Sequence, residues 1–229
     1  MELGPRAAIG RLENLDGTTQ CTGTMVHDRA VLTAAHCFAL TQPADPLEIA
    51  IELASLRFRL PDGSVPLAGL VRHPQLDVAV VFLAHSDHEE VEPIALAATV
   101  PAADVGDILV AIGAGRGTPD DELVVAGEFV VDALVEHEFA LAPAAEARIC
   151  GGDSGGPLLR AGDGAPELVG VIVRGYPDCS PPSYAVRADL FQAWLDDVLA
   201  QSPPLLAVCD PVVDGNRCDQ GDARRCEEG

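Results

Sequence analysis

The chain has 229 residues, with 22 glycines, 18 prolines, 4% aromatics and a formal net charge of −22 from 14 Lys+Arg against 36 Asp+Glu. Phosphate backbones and anionic membranes are bound by clustered Lys/Arg, so a chain this acidic, with no basic run, excludes nucleic acid and anionic membrane as partners. Its 48% hydrophobic content excludes wholesale disorder, and the length suits one large domain or two small ones sharing an interface.

Along the chain, segments 30–32, 47–53, 56–60, 78–83, 108–112, 123–131, 157–159 and 168–173 are rich in Val, Ile and Leu. Gly, Pro and Asp turns separate most of them, which predicts short strands. No helical pattern alternates with these segments, so an all-β sandwich or barrel is expected rather than a parallel α/β sheet. From Asp189 onward, Leu190, Phe191, Trp194, Leu195, Val198 and Leu199 recur at three- and four-residue spacing. That spacing predicts one amphipathic helix, with Asp189 as its cap and Pro203-Pro204 as its stop. Residues 201–229 form an acidic, cysteine-containing tail with too few apolar residues for a core of its own.

No stretch approaches the roughly 20 apolar residues of a membrane span, so a soluble protein is expected. Residues 1–10 lack the basic start and apolar stretch of a signal peptide. The seven cysteines, at 21, 37, 150, 179, 209, 218 and 226, lack the paired spacing of a zinc site. They favour disulfides and an oxidising compartment. A secreted or periplasmic protein is expected, with its export signal outside this chain.

Three short segments carry chemistry: Thr33-Ala34-Ala35-His36-Cys37, Asp77-Val78-Ala79-Val80, and Cys150-Gly151-Gly152-Asp153-Ser154-Gly155-Gly156-Pro157. A serine hydroxyl is a weak nucleophile and needs a base to take its proton. The base in turn needs an acid to fix its tautomer and stabilise its charged form. His36, Asp77 and Ser154 supply those three types. The glycines around Ser154 let the backbone turn so that two amides converge on one point.

Taken together, these segments resemble the trypsin/chymotrypsin-like serine endopeptidases, and the resemblance runs from about Pro5 to Ala200. Cys21-Thr22-Gly23-Thr24-Met25-Val26, Val31-Leu32 and His73-Pro74 also fit that family. The resemblance implies two six-stranded antiparallel β-barrels packed around a cleft, with a C-terminal α-helix. Residues 1–95 would form the first barrel, with His36 and Asp77, and residues 96–200 the second barrel plus helix, with Ser154. It implies His36 as general base, Asp77 as its orienting acid, Ser154 as nucleophile, and the amides of Gly152 and Ser154 as the oxyanion hole. It further implies disulfides Cys21–Cys37 and Cys150–Cys179, each contributing roughly 3 kcal/mol on the chain-entropy model. Cys209, Cys218 and Cys226 remain, an odd number, so a continuation past Gly229 is expected. The resemblance implies a protein or peptide substrate, no cofactor and no metal, and a monomer is expected.

The chain departs from the family's pattern at three places. Cleavage-activated members bury a new terminal ammonium, from Ile-Val-Gly-Gly, against the acid before the nucleophile, here Asp153. No such sequence stands here. Either the activating end lies outside this chain, or another cation pairs with Asp153, or the pocket is zymogen-like and the protein a latent or non-catalytic binding module. The primary pocket is the second departure. Its floor residue maps to Arg148 and its wall to Val173, Arg174 and Gly175. Two guanidinium groups there would favour Glu or Asp before the scissile bond, unless Glu146, Asp153 or Asp178 neutralises Arg148. Third, Val173 replaces a serine that helps hold the buried acid, which leaves Asp77 one donor short.

Three weaker signals are read as structural. His85-Ser86-Asp87-His88-Glu89-Glu90 reads as an exposed loop rather than a metal site. Asp210, Asp214-Gly215-Asn216 and Asp219 lack the spacing of a calcium loop. Gly113-Ala114-Gly115-Arg116-Gly117 lacks the Lys-Ser/Thr of a phosphate cradle and reads as a turn.

Overall fold

The computed structural model of the chain describes residues 7–40, 44–86, 91–98, 102–116, 125–161 and 164–201. Strands β1 (Ile9–Asn14), β2 (Thr19–His27), β3 (Ala30–Thr33), β4 (Leu56–Leu60), β5 (Gly63–Arg72) and β6 (Ala79–Leu83) close a barrel in the order β1-β2-β3-β6-β5-β4. Strands β7 (Ile108–Gly113), β8 (Val125–Val135), β9 (Glu138–Pro143), β10 (Pro157–Arg160), β11 (Glu167–Arg174) and β12 (Ser183–Arg187) close a second in the order β10-β11-β12-β9-β8-β7. All neighbouring strands are antiparallel. The fold is the expected pair of six-stranded antiparallel barrels with a C-terminal helix. Closure leaves neither sheet with an unpaired edge.

Strands β3 and β6 are buried at every residue, which is why they read as continuous apolar runs rather than alternating ones. Phe58 and Phe139 are large fully buried side chains, one in each barrel. Three sequence expectations need revision. Segment 47–53 is helical: α1 spans Pro46–Ser55, with Pro46 in its first turn. The Asp45 carboxylate accepts from the amides of Leu47 and Glu48, at 2.8 and 2.9 Å. That capped Asp-Pro start outweighs the β-like composition, and Leu47 and Ile51 face solvent while Leu53 is buried. Strands β5, β9 and β12 escape prediction because Pro66 and Gly69, or Ala and Ser, dilute their apolar pattern.

The third revision concerns the C-terminal helix, α2 (Gln192–Gln201), which Asp189 does not cap. Asp189 lies in a short 3₁₀ turn, and its carboxylate accepts from Arg187 Nε and Nη2 at 3.2 and 2.7 Å. Leu195 and Val198 bury the inner face of α2, while the Trp194 ring meets His73 edge-on, with centroids 5.0 Å apart. No helix among the described residues is long and apolar enough to cross a membrane. Cys209, Cys218, Cys226, the 210–219 segment and residues 87–90 lie outside the described residues.

Candidate active site

Each candidate residue sits where a strand ends. His36 lies in a 3₁₀ turn, Ala35–Cys37, directly after β3. The Cys21–Cys37 disulfide, with Cα atoms 6.1 Å apart, ties this turn to β2. Asp77 precedes β6 on a turn stapled by His73. The His73 Nδ1 atom accepts from the amides of Gln75 and Leu76 at 3.2 and 2.9 Å, and its own amide donates to the Val78 carbonyl at 2.8 Å. An Nδ1 that accepts two amides belongs to a neutral ring, and burial lowers the His73 pKa in the same direction. The imidazole thus shapes the loop that presents Asp77.

Asp77 holds His36 twice. Its Oδ2 lies 2.6 Å from His36 Nδ1, and its Oδ1 accepts the His36 amide at 2.8 Å. Burial alone would push the Asp77 carboxyl up. The hydrogen bond and charge of the His36 ring, together with the amides of His36 and Ala35, outweigh it and hold the group below its ordinary value. A carboxylate that stays ionised beside Nδ1 fixes the tautomer with its proton on that atom, leaving Nε2 as the basic nitrogen. Val173 is buried and offers no hydroxyl to Asp77.

Ser154 stands in the loop before β10. Its carbonyl accepts the Thr22 amide at 2.8 Å, and the next amide, of Gly155, donates to Ile172 at 2.7 Å. Gly152 and Gly155 adopt φ of +101° and +84°, which only glycine takes without strain. Among the described residues, Ser154 Oγ makes no hydrogen bond to His36. Bonds of this kind are often long in unliganded sites and tighten around substrate. The Cys150–Cys179 disulfide, with Cα atoms 4.8 Å apart, anchors the start of this loop. Ligand atoms of Cys21, His36 and Cys37 lie within 4.8 Å of one another, but the two sulfurs are joined and supply no thiolate for a metal.

Asp153 is 7% exposed. Its Oδ1 accepts the Gly115 amide and its Oδ2 the Cys150 amide, both at 2.7 Å. Burial raises its pKa and the two amides oppose the rise. Among the described residues, no cation pairs with it. Gly113 and Gly115 make room for the carboxylate, since a Cβ on either would fall on Asp153 Oδ1.

The four expected pocket residues separate. Arg148 is exposed and lines a cavity of about 250 Å³ together with Glu146, Ile149, Cys179, Ser180 and Ser183. Gly175 stands at the same wall: a Cβ there would come within 3.3 Å of Ser183 Oγ and 3.6 Å of the Ile149 carbonyl. Arg174 is not among the residues lining the cavity. Its Nε donates to Glu138 Oε2 at 3.0 Å, and its guanidinium lies 3.5 Å over the Tyr184 ring. Arg148 is one of the groups that lower the Asp178 pKa, after the hydroxyl and amide of Ser180. The cavity is therefore of mixed charge, with Glu146 and Arg148 both in its lining.

Sequence reasoning placed Thr22 and His73 in segments that fit the family but assigned neither a role, and it missed Glu138. Their partners lie on other strands or across a loop, and spacing does not announce them.

A family model described as Trypsin matches residues 4–195. Trypsin-1 of Astacus astacus is 25% identical over 190 residues, which cover 72% of this chain and 80% of that protein. Lectizyme of Glossina austeni is 37% identical over 60 residues, 25% of this chain and 22% of that protein. With a family model spanning most of its length and two closed six-stranded barrels, this chain belongs to the trypsin family of serine proteases.

Proposed function

We propose that this protein is a secreted or periplasmic serine endopeptidase that cleaves peptide bonds through an acyl-enzyme. The observation that carries this reading is the double grip of Asp77 on His36, on both the ring and the amide, beside the loop that holds Ser154. In the proposed reaction Ser154 Oγ attacks the substrate carbonyl while His36 Nε2 takes its proton. The amides of Gly152 and Ser154 stabilise the oxyanion. His36 then protonates the leaving amine, and water, deprotonated by His36, hydrolyses the ester to release acid and free Ser154.

A fluorophosphonate probe tests this directly. Mass spectrometry is expected to find the adduct on Ser154. Folded protein that stays unlabelled would instead support the second reading, a latent or non-catalytic binding protein.

The proposed specificity is for Glu or Asp before the scissile bond, and it rests on Arg148, because Arg174 is engaged by Glu138. A guanidinium binds a carboxylate through charge-assisted bonds worth about 1.5–3 kcal/mol, so Arg148→Ala is expected to lower kcat/KM on Glu substrates by roughly 10- to 100-fold. Ala or Leu substrates should change little. A peptide library with no enrichment of Glu or Asp before the cut would remove the specificity and leave the chemistry standing.

A further inference from the structure

We infer that Thr22, a residue of the first barrel, is a positioning residue that holds the nucleophile loop of the second barrel in its working shape. The inference rests on the reading of Ser154 as nucleophile. Thr22 lies in β2, is fully buried, and makes four polar contacts. Its carbonyl accepts the Thr33 hydroxyl at 2.8 Å, within the first barrel. The other three cross to the second. Its amide donates to the Ser154 carbonyl at 2.8 Å, its hydroxyl donates to the Gly152 carbonyl at 2.8 Å, and the same hydroxyl accepts the Ala114 amide at 3.0 Å. A hydroxyl has one proton to give, so the donor and acceptor roles are both filled and directed.

Those contacts fall on the backbone between and beside the two amides proposed for an oxyanion, on the Gly152 and Ser154 carbonyls. The Gly152–Asp153 peptide is tied at both ends, its carbonyl to the Thr22 hydroxyl and its N–H to the Cys150 carbonyl at 3.1 Å. Gly152, at φ +101°, is the residue with the freedom to turn this peptide over. The hydroxyl also spans the same two segments that the Asp153 carboxylate spans. Thr22 links Ala114 to Gly152, while Asp153 links Gly115 to Cys150. A third link, from the Arg116 amide to the Gly151 carbonyl at 2.8 Å, runs alongside. Hydrogen bonds from Thr22, from the Asp153 carboxylate and from the Arg116 amide therefore hold the loop against segment 114–116. Thr22 supplies the only side-chain hydroxyl among the described residues that bonds to the 150–156 backbone.

Thr22→Val keeps the shape and removes the hydroxyl, and Thr22→Ser keeps the hydroxyl and removes the methyl. Removing an oxyanion donor costs about 10²- to 10³-fold in kcat, so Thr22→Val, which loosens the donors without removing one, is expected to lose turnover by about 10- to 100-fold with KM within about threefold of wild type. Thr22→Ser should restore it. Amide hydrogen exchange in segments 113–116 and 150–154 should rise in Thr22→Val, stay low in Thr22→Ser, and leave the other strands unchanged. Should Thr22→Val fail to fold, Thr22→Ala against Thr22→Ser makes the same comparison. Equal losses in the hydroxyl-free and serine variants, or wild-type turnover and exchange without the hydroxyl, would overturn the inference. A wild-type protein that the fluorophosphonate does not label would end the nucleophile reading, and the exchange comparison would still decide whether the hydroxyl holds the loop.

Discussion

Ser154→Ala and His36→Ala are each expected to lower turnover by a factor on the order of 10⁶, with the double variant scarcely worse than either, because nucleophile and base act as one unit. The hydroxyl has no useful nucleophilicity without a base in reach, and the base has nothing to deprotonate without the hydroxyl. Asp77→Asn should cost less, about 10⁴, since the amide can still grip the imidazole but favours the wrong tautomer. Here that loss has a visible structural origin. Asp77 accepts from the ring at 2.6 Å and from the His36 amide at 2.8 Å, and an asparagine can present only one accepting oxygen to those two donors. Initial rates on an amide substrate, with circular dichroism to confirm folding, provide the check. Activity within tenfold of wild type in Ser154→Ala would sink the acyl-enzyme mechanism outright.

The parts of the site that were legible beforehand are those in which chemistry is local. His36 beside Cys37, the Gly-Asp-Ser-Gly-Gly run and the strand after Asp77 each declare themselves within a few residues. Both disulfide pairs are the ones the family resemblance implies. The all-β class was legible because most of the buried strands are apolar runs broken by turns, whereas the pair of six-stranded barrels was implied by the family resemblance. What stayed hidden depends on partners far away in the chain. Glu138 pairs with Arg174 from 36 residues away, and Gly115 reaches the Asp153 carboxylate from 38 residues away. Arginine and a buried carboxylate take whichever partner the folded surroundings offer, and spacing does not reveal that choice. Helix α1 was misread for a different reason. Its apolar residues point both to solvent and to the core, so the run lacks a clean helical stripe, and only the Asp45-Pro46 start marks it.

Gly155→Ala is expected to be the most damaging single-methyl change in the loop, destabilising the fold by about 3–5 kcal/mol through overpacking on top of backbone strain. Gly155 is buried at φ +84°, and a Cβ there would fall on the Thr33 hydroxyl and the Thr22 carbonyl, with the Ala34 amide 3.0 Å away. Two of those three atoms are backbone of β2 and of the residue leading into the His36 turn, so neither can rotate aside as a flexible side chain would. Relief requires the two barrels to separate slightly at the seam where Thr22 meets Ser154. The methyl should therefore cost activity as well as stability, since it moves Ser154 relative to His36. Gly17→Ala serves as the control. Gly17 has nearly the same φ, +85°, with nothing within 4 Å of a Cβ, so only the left-handed backbone strain of roughly 1–2 kcal/mol applies. For a protein of this size each kcal/mol lowers Tm by about 2–4 °C, which predicts a fall of about 10 °C for Gly155→Ala against a few degrees for Gly17→Ala. Equal shifts in the two variants would mean that strain alone is felt, and that the nucleophile loop is not wedged between the barrels.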